Sequence, residues 1–433
     1  MILLRPAKSV FPVQYSRARL SRYTMSASCC GGRAFFNTRS GAVCWSRSHL
    51  DLNDPIVRGS GLAVPFDHDE ITGVRSEYLF AVSHSETLDL TVQTTLDCSC
   101  RCSYCYQGND KPANCFAGAR EQAFLLEWIT PKLDSYKRLF INWFGGEPLL
   151  NSSMILKLSP ELIRNCAKHA CDYSSGIVTN GILLSKDLIR KLISDAWVCS
   201  FSLTLDGPGE IHNRRRIRKN GNGTFDEICN AIDNLLEFPD AHITLRIQVD
   251  RENLNFMSEL MSFLQQKRWF SSPNIKIVFV RTKKRTANCN FPRESVISQE
   301  LWGSVEEQLF RLCREYQIPL KPNLPSLPPG GCQNRHFYAF NPRGDIFPCH
   351  ALLSAEPMPA EQLARWRAWL PWKNHSECAE CSLFPICQGG CPFNTLNASQ
   401  VPVTELPCPD WRFSLEWKLC LWTESKLKDE HRK

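Results

Sequence analysis

Three cysteines, Cys98, Cys102 and Cys105, stand together in the stretch LDCSCRCSYCYQGN, just after a β-rich run. Three thiolates on one loop can hold three irons of a [4Fe–4S] cube and leave the fourth iron without a protein ligand. A site meant only for electron transfer or structural zinc would close itself with a fourth ligand. Cys100 lies between them, but one residue separates it from Cys98 and from Cys102, which suits a shared tetrahedral ion poorly. A second array follows: Cys332, Cys349, Cys378, Cys381, Cys387, Cys391 and Cys408, with Gly344 between the first two. A C-x2-C pair alone would also serve a zinc ribbon.

The elements that must position these thiols show in the hydrophobic pattern. Short β-rich runs at Leu88–Thr94, Leu139–Phe144, Gly176–Thr179, Val198–Leu205, Ile243–Val249 and Ile275–Val280 alternate with helical periods, which is the signature of βα units around a parallel sheet. Thr224 followed by Glu227 reads as a capping box opening a helix. The proline-rich stretch around 317–330 ends this region, and the segment that follows has too little periodicity for an apolar core of its own. We expect residues 1–86 to form a small α+β module with a hairpin over Arg33–Trp45. The other expected units are 87–320 as the α/β core, 321–410 as a metal-held region and 411–433 as a terminal helix with Phe413, Trp417 and Leu421 on one face.

The whole chain has 433 residues, 22 cysteines and 51 basic against 44 acidic side chains. It is long enough to bury a large core, so a disulfide-stapled miniature scaffold is excluded. No run of 18 apolar residues predicts a membrane span. The basic N-terminus has no continuous apolar segment, so no export signal is expected; an organelle transit peptide and a start at Met25 are the alternatives. A cytoplasmic location follows as the expectation, one in which grouped thiols serve metals or catalysis.

The Cys-x3-Cys-x2-Cys spacing, with Tyr104 before the last cysteine, resembles that of the radical S-adenosylmethionine (SAM) superfamily. Gly145-Gly146-Glu147-Pro148, Thr179-Asn180-Gly181 and Thr204-Leu205-Asp206-Gly207-Pro208 are similar to that family's segments, with Thr204 where relatives carry serine. The resemblance implies a partial (β/α)6 TIM-like barrel and a [4Fe–4S] cluster held by Cys98, Cys102 and Cys105. It also implies reductive cleavage of SAM to methionine and a 5′-deoxyadenosyl radical that abstracts hydrogen from substrate. Cofactor contacts implied are Tyr104, Gly145, Gly146, Glu147, Pro148, Asn180, Thr204 and Asp206, with Glu147 at the methionine amino group.

The seven later cysteines are similar to the pattern of the SPASM extension, which implies two auxiliary [4Fe–4S] clusters. Cys378, Cys381, Cys387 and Cys408 would hold the outer one, and Cys332, Cys349 and Cys391 the inner one. Relatives supply a further inner ligand where this chain has Tyr338, so the fourth site is either open or taken by another group such as Cys313 or Cys289.

Maturases of ribosomally made peptides resemble this layout, including an N-terminal module similar to a winged helix that grips a leader peptide. The implied function is hydrogen abstraction from a precursor peptide and formation of a carbon–carbon or thioether crosslink. The implied partners are that precursor and a reductant such as flavodoxin or ferredoxin. Asp250 is the candidate base, with a turn aspartate as the alternative reading. The alternatives in function are formylglycine formation in a sulfatase and a non-catalytic iron–sulfur electron carrier. The basic run His212–Gly223 is expected to be a solvated loop beside the active site, placed to guide an acidic peptide, rather than a nucleic-acid surface, since no aromatics interleave with it.

Overall fold

In the computed structural model the residues described are 1–8, 13–108, 114–286, 288–320, 322–325, 334–352, 357–396 and 408–430. Cys332 lies outside them.

The N-terminal module holds β1 (Ile2–Arg5), β2 (Ala18–Leu20), β3 (Thr24–Cys29), β4 (Gly32–Asn37), β5 (Val43–Ser46), the short helix α1 (Pro55–Gly59), β6 (Ala63–Pro65) and α2 (Glu70–Ser83). Strands β4 and β5 form the expected hairpin inside an antiparallel sheet ordered β1-β5-β4-β3, and β2 pairs with β6. The sheet dominates, where a winged helix would be built mainly on helices.

Six parallel strands make the core: β7 (Thr87–Gln93), β9 (Arg138–Phe144), β10 (Asp172–Val178), β11 (Val198–Thr204), β13 (His242–Val249) and β14 (Ile275–Arg281). Between them run the short pair β8 (Cys100–Cys102) and β12 (Arg216–Arg218). The helices are α3 (Ala119–Ile129), α4 (Ser152–Lys168), α5 (Lys186–Ser194), α6 (Gly209–Arg215), α7 (Phe225–Leu236), α8 (Met257–Lys267) and α9 (Gln299–Glu315). The six strands agree with the runs expected from sequence, and their sequential order fits the partial barrel.

Alternation along each strand assigns its two faces. In β13, Ile243, Leu245, Ile247 and Val249 are buried in the main core against the helices, so Thr244, Arg246 and Gln248 turn the other way. In β9, Leu139, Ile141 and Trp143 join the same core, while Asn142 and Phe144 take the opposite face. The helices answer with Leu125 and Ile129, Leu158 and Leu162, Ile189 and Leu192, Ile228 and Ile232, Leu260 and Leu264, and Leu309. Each fully buried Leu or Ile contributes about 2 kcal/mol of transfer free energy.

The cysteine-rich region is not a detached appendage. β15 (Phe337–Phe340) adds itself parallel to β7, and β16 (Ile346–Phe347) pairs antiparallel with β15, so the sheet reads β14-β13-β11-β10-β9-β7-β15-β16. Tyr338 in β15 meets Trp128 edge-on, with ring centroids 4.9 Å apart. Short helices α10 (Ala360–Arg367), α11 (Pro371–Asn374), α12 (Phe384–Cys387) and α13 (Pro392–Leu396) follow.

The terminal helix α14 (Leu415–Glu430) uses two faces. Leu415, Leu419 and Leu427 pack with Phe36, Val43 and Trp45 of the N-terminal sheet. Trp417 packs on Phe310 of α9 and donates to the Gly303 carbonyl at 3.0 Å. The expected Phe413–Trp417–Leu421 stripe is thus the half-buried side, and the better buried stripe is the leucine one. The expected capping box is also absent: the Thr224 hydroxyl donates to the Arg216 carbonyl at 2.6 Å, and Glu227 pairs with Arg218 at 2.6 Å. Asn213 accepts from the amides of Thr224 and Phe225 instead.

Candidate active site

Cys98, Cys100, Cys102 and Cys105 line one cavity of about 380 Å³ with Tyr104, Gly145, Gly146, Asn180 and Thr204. It opens at the carboxyl ends of the parallel strands, where α/β sheets present their ligands. The glycines follow from close backbone approach. Gly146 N–H donates to the Thr95 carbonyl at 2.9 Å and Glu147 N–H to the Asp97 carbonyl at 2.8 Å. A Cβ at Gly146 would stand 2.1 Å from the Asp97 carbonyl oxygen, and one at Gly145, whose φ is +149°, 2.4 Å from that of Thr95. The end of β9 therefore backs directly on the root of the cysteine loop. Asn180 reaches the same loop, its Nδ2 lying 3.2 Å from Ser99 Oγ and 3.6 Å from Cys100 Sγ. Cys100, read from its spacing as a poor ligand, nevertheless faces the cavity and raises its own pKa by hydrogen bonding to Cys102 and Cys98 and by burial.

Other expected contacts stand behind the wall. Glu147 is fully buried and accepts from Thr179 Oγ1 at 2.6 Å, Asn180 N at 2.7 Å and Leu149 N at 3.1 Å. Burial pushes its carboxyl up to about 7. It ties the end of β9 to the end of β10, and neither it nor Pro148 lines the cavity. Asp206 is also outside the lining; it accepts the Tyr104 hydroxyl and the Gln248 amide, the latter at 2.9 Å. Asp250 is fully buried and takes Arg215 in a two-pronged pair at 2.9 and 2.6 Å. That geometry makes it a positioning group for Arg215 and leaves it away from the cavity surface where a base would work.

The basic run lies beside the cavity as expected, and residues 219–222 are exposed, but His212, Arg215 and Arg216 are buried where a solvated loop was expected. Arg216 lines the cavity and donates from Nη1 to the Tyr104 hydroxyl at 2.8 Å. Burial holds Tyr104 well above the usual phenol range and keeps it neutral. Further cations on the cavity wall are Arg246, Arg281, Lys283 and Arg285. The period-two pattern of β13 could have exposed Arg246 as an inward cation.

The residues fit a polar cofactor. Among the buried polar atoms without a partner are Gln107 Nε2, Thr282 Oγ1 and Arg216 Nε, and all three residues line this cavity. Among the described residues no three His, Cys, Asp or Glu side chains gather closely enough for a single metal ion. In a cube each thiolate binds its own iron, so its ligands stand wider apart than those of one ion.

The later cysteines fall into two groups. Cys378, Cys381, Cys387 and Cys408 line a second cavity of about 1050 Å³. Burial raises Cys378 to about 11 and Cys387 to about 12, with neighbouring thiols adding to both. Protons held there would leave on iron binding. Cys349 and Cys391 share an apolar group with Trp366 and Phe393. Neither alternative inner ligand joins them: Cys313 sits in the main core 3.7 Å from Met261 Sδ, and Cys289 Sγ lies 3.6 Å from the Tyr104 carbonyl under the first loop.

Residues 92–262 match the family model described as the Radical SAM superfamily. The chain is 24% identical over 336 residues to the serine-type anaerobic sulfatase-maturating enzyme of Klebsiella aerogenes, covering 70% of this chain and 78% of that one. It is 23% identical over 330 residues to the PqqA peptide cyclase of Bradyrhizobium diazoefficiens, covering 70% and 81%. The structure of native anSMEcpe with bound AdoMet and the Kp18Cys peptide superposes with a TM-score of 0.58 at 16% identity, over 79% of this chain and 98% of that one. Residues 92–262 carry a radical SAM domain, and the chain is an enzyme with an iron–sulfur cluster and SAM as its cofactors. The electron-carrier alternative falls with that assignment. Among the described residues no helix is long and apolar enough to cross a membrane.

Proposed function

We propose that this enzyme matures a peptide, removing hydrogen from one of its carbons and joining that carbon to a second side chain. The observation that carries this reading is the cavity itself: one space is bounded by the cysteine loop, by the strand ends and by His350 and Ala351 of the cysteine-rich region. When bound, the cluster and SAM supply a one-electron cleavage that yields a carbon radical able to take a hydrogen atom. The chain's own residues bind, orient and exclude water. Cys98, Cys102 and Cys105 would hold the cluster. Asn180, Thr204 and Arg216 would meet the polar groups of SAM, and Gly145 and Gly146 keep the wall thin enough for it to approach. Tyr104, fixed between Asp206 and Arg216, would shield the cluster from solvent.

Cys378, Cys381, Cys387 and Cys408 would bind an outer auxiliary cluster, and Cys332, Cys349 and Cys391 an inner one, giving an exit for the second electron while the accompanying proton passes to water. A precursor peptide with a leader and a small electron-transfer protein would be the partners, in a cytoplasmic setting.

A second reading is oxidation of a serine or cysteine to formylglycine, favoured by the similarity to a sulfatase-maturating enzyme. Reconstituted and reduced anaerobically, the protein should release 5′-deoxyadenosine from SAM. A crosslinked peptide and a serine-derived formylglycine both lose two hydrogens, so mass alone does not separate them. A hydrazide probe does: labelling of the product supports formylglycine, and an unlabelled product with a shared fragment in tandem mass spectrometry supports the crosslink.

A further inference from the structure

The cations on the cavity wall can be paired off one by one. Arg216 faces the thiols of Cys102 and Cys100 as well as Asp206, and donates to Tyr104. Arg281 and Lys283 both bind Asp410, at 2.9 and 2.8 Å. Behind the wall, Arg215 is taken by Asp250. Arg246 and Arg285 remain.

Among the described residues no carboxylate forms an ion pair with either guanidinium, and no residue lining the cavity is acidic. Arg246 projects from the inward face of β13 beside Gln248. Burial and the nearby Arg285 both act against its charge, partly offset by Tyr104 and by Asp206, which is already shared with the Tyr104 hydroxyl and the Gln248 amide. Arg285 lies near Tyr106, whose hydroxyl is 3.4 Å from the His350 carbonyl. The pair therefore runs from the cysteine loop toward the cysteine-rich region. Two like charges held together without a counter-ion are unfavourable, and a carboxylate between them relieves the repulsion through charge-assisted, two-pronged contacts.

We propose that Arg246 and Arg285 form an anion-recognition pair that selects an acidic residue, Asp or Glu, in the peptide substrate. This rests on the peptide-maturase reading above. SAM brings one carboxylate together with an ammonium and a sulfonium, so it adds no net negative charge and leaves the pair's demand unmet.

The test uses the full chain, reconstituted with iron and sulfide and saturated with SAM. Fluorescent pools of short random peptides with a fixed central Asp, Asn or Lys are titrated against it and followed by anisotropy. The Asp pool should bind about tenfold more tightly than the Asn pool, and the Lys pool more weakly than either. The preference should shrink as salt is raised. It should vanish in the double variant Arg246→Gln, Arg285→Gln and partly return with Lys at both positions. Equal binding of the Asp and Asn pools overturns the inference and spares the maturase reading, as does a preference that survives in the double variant. Absence of binding by every pool also overturns the inference, while the maturase reading stands or falls on its own test, SAM cleavage and modification of a peptide. Should the variant fail to fold, the wild-type comparison and its salt dependence decide the matter.

Discussion

Arg412 donates from Nη1 to the Sγ of Cys408 at 2.8 Å, placing a full positive charge on one thiol of the four-cysteine group. Two residues away, Asp410 binds Arg281 and Lys283, and the Cys408 carbonyl accepts from Gln299 Nε2 at 2.7 Å. The segment thus touches both the second cavity and the wall of the first.

A cation bonded to a cluster thiolate favours the reduced, more negative state. Arg412→Met should lower the midpoint potential of the proposed outer auxiliary cluster by roughly 30 mV, a modest figure because Arg412 is exposed and screened. Redox titration followed by electron paramagnetic resonance reads this directly. An unchanged set of potentials would remove Arg412 from any tuning role.

Asp250 offers a separation of base from brace. Removing one partner of a buried pair leaves the other charge uncompensated, so Asp250→Asn should cost about 3 to 5 kcal/mol of stability. Denaturant unfolding measures the loss. The pH dependence of peptide modification should keep its shape in the variant; a lost alkaline or acid limb would restore Asp250 as a base.

His212 supplies a pH dependence. It accepts the Asp206 amide at Nδ1, 3.2 Å away, and its Nε2 meets Thr224 Oγ1 at 3.1 Å, an arrangement for a neutral ring. Burial, then Arg216 and Arg215, hold its pKa well below the ordinary 6.5. The unfolded chain therefore binds a proton that the folded chain refuses. Stability is complete above pH 6.5 and declines below it, by up to about 1.4 kcal/mol per pH unit until the folded value is reached. His212→Gln should flatten that slope in unfolding curves taken across mildly acid pH. An unchanged slope would assign it to other groups.

Gly146→Ala tests the contact between β9 and the cysteine loop. The added methyl would meet backbone oxygens of Asp97 and Leu96, neither the far end of a flexible side chain. A stability loss of about 2 kcal/mol and a deficit of iron at the first cluster are expected. Full iron content with wild-type stability would show that the loop can retreat.

The strands and strand-end segments were legible because their signal is local: Ile243, Leu245, Ile247 and Val249 announce β13 by alternation, and the glycines mark the turns after β9. Grouping of Cys378, Cys381, Cys387 and Cys408 came from the resemblance to the SPASM pattern rather than from spacing, and the four line one cavity. What stayed hidden depends on distant partners. Arg215 and Arg216 look like solvated charges until Asp250, Asp206 and Tyr104 are brought to them from elsewhere in the chain. Thr224 scored as a cap because nothing nearby in sequence reveals that His212 and Arg216 claim its hydroxyl. The same holds for α14, whose leucine stripe has meaning only against a sheet from the first fifty residues.

Strand β15 also has a bearing on how the molecule can be divided. It occupies the hydrogen-bonding edge of β7, the first strand of the barrel, and it comes from beyond the proline-rich stretch. Cutting the chain at residue 320 would uncover Asp89–Val92 as a free edge, a template for pairing with another molecule. The barrel is therefore not closed by its own strands alone: β15 of the cysteine-rich segment covers the edge of β7 and guards it against self-association.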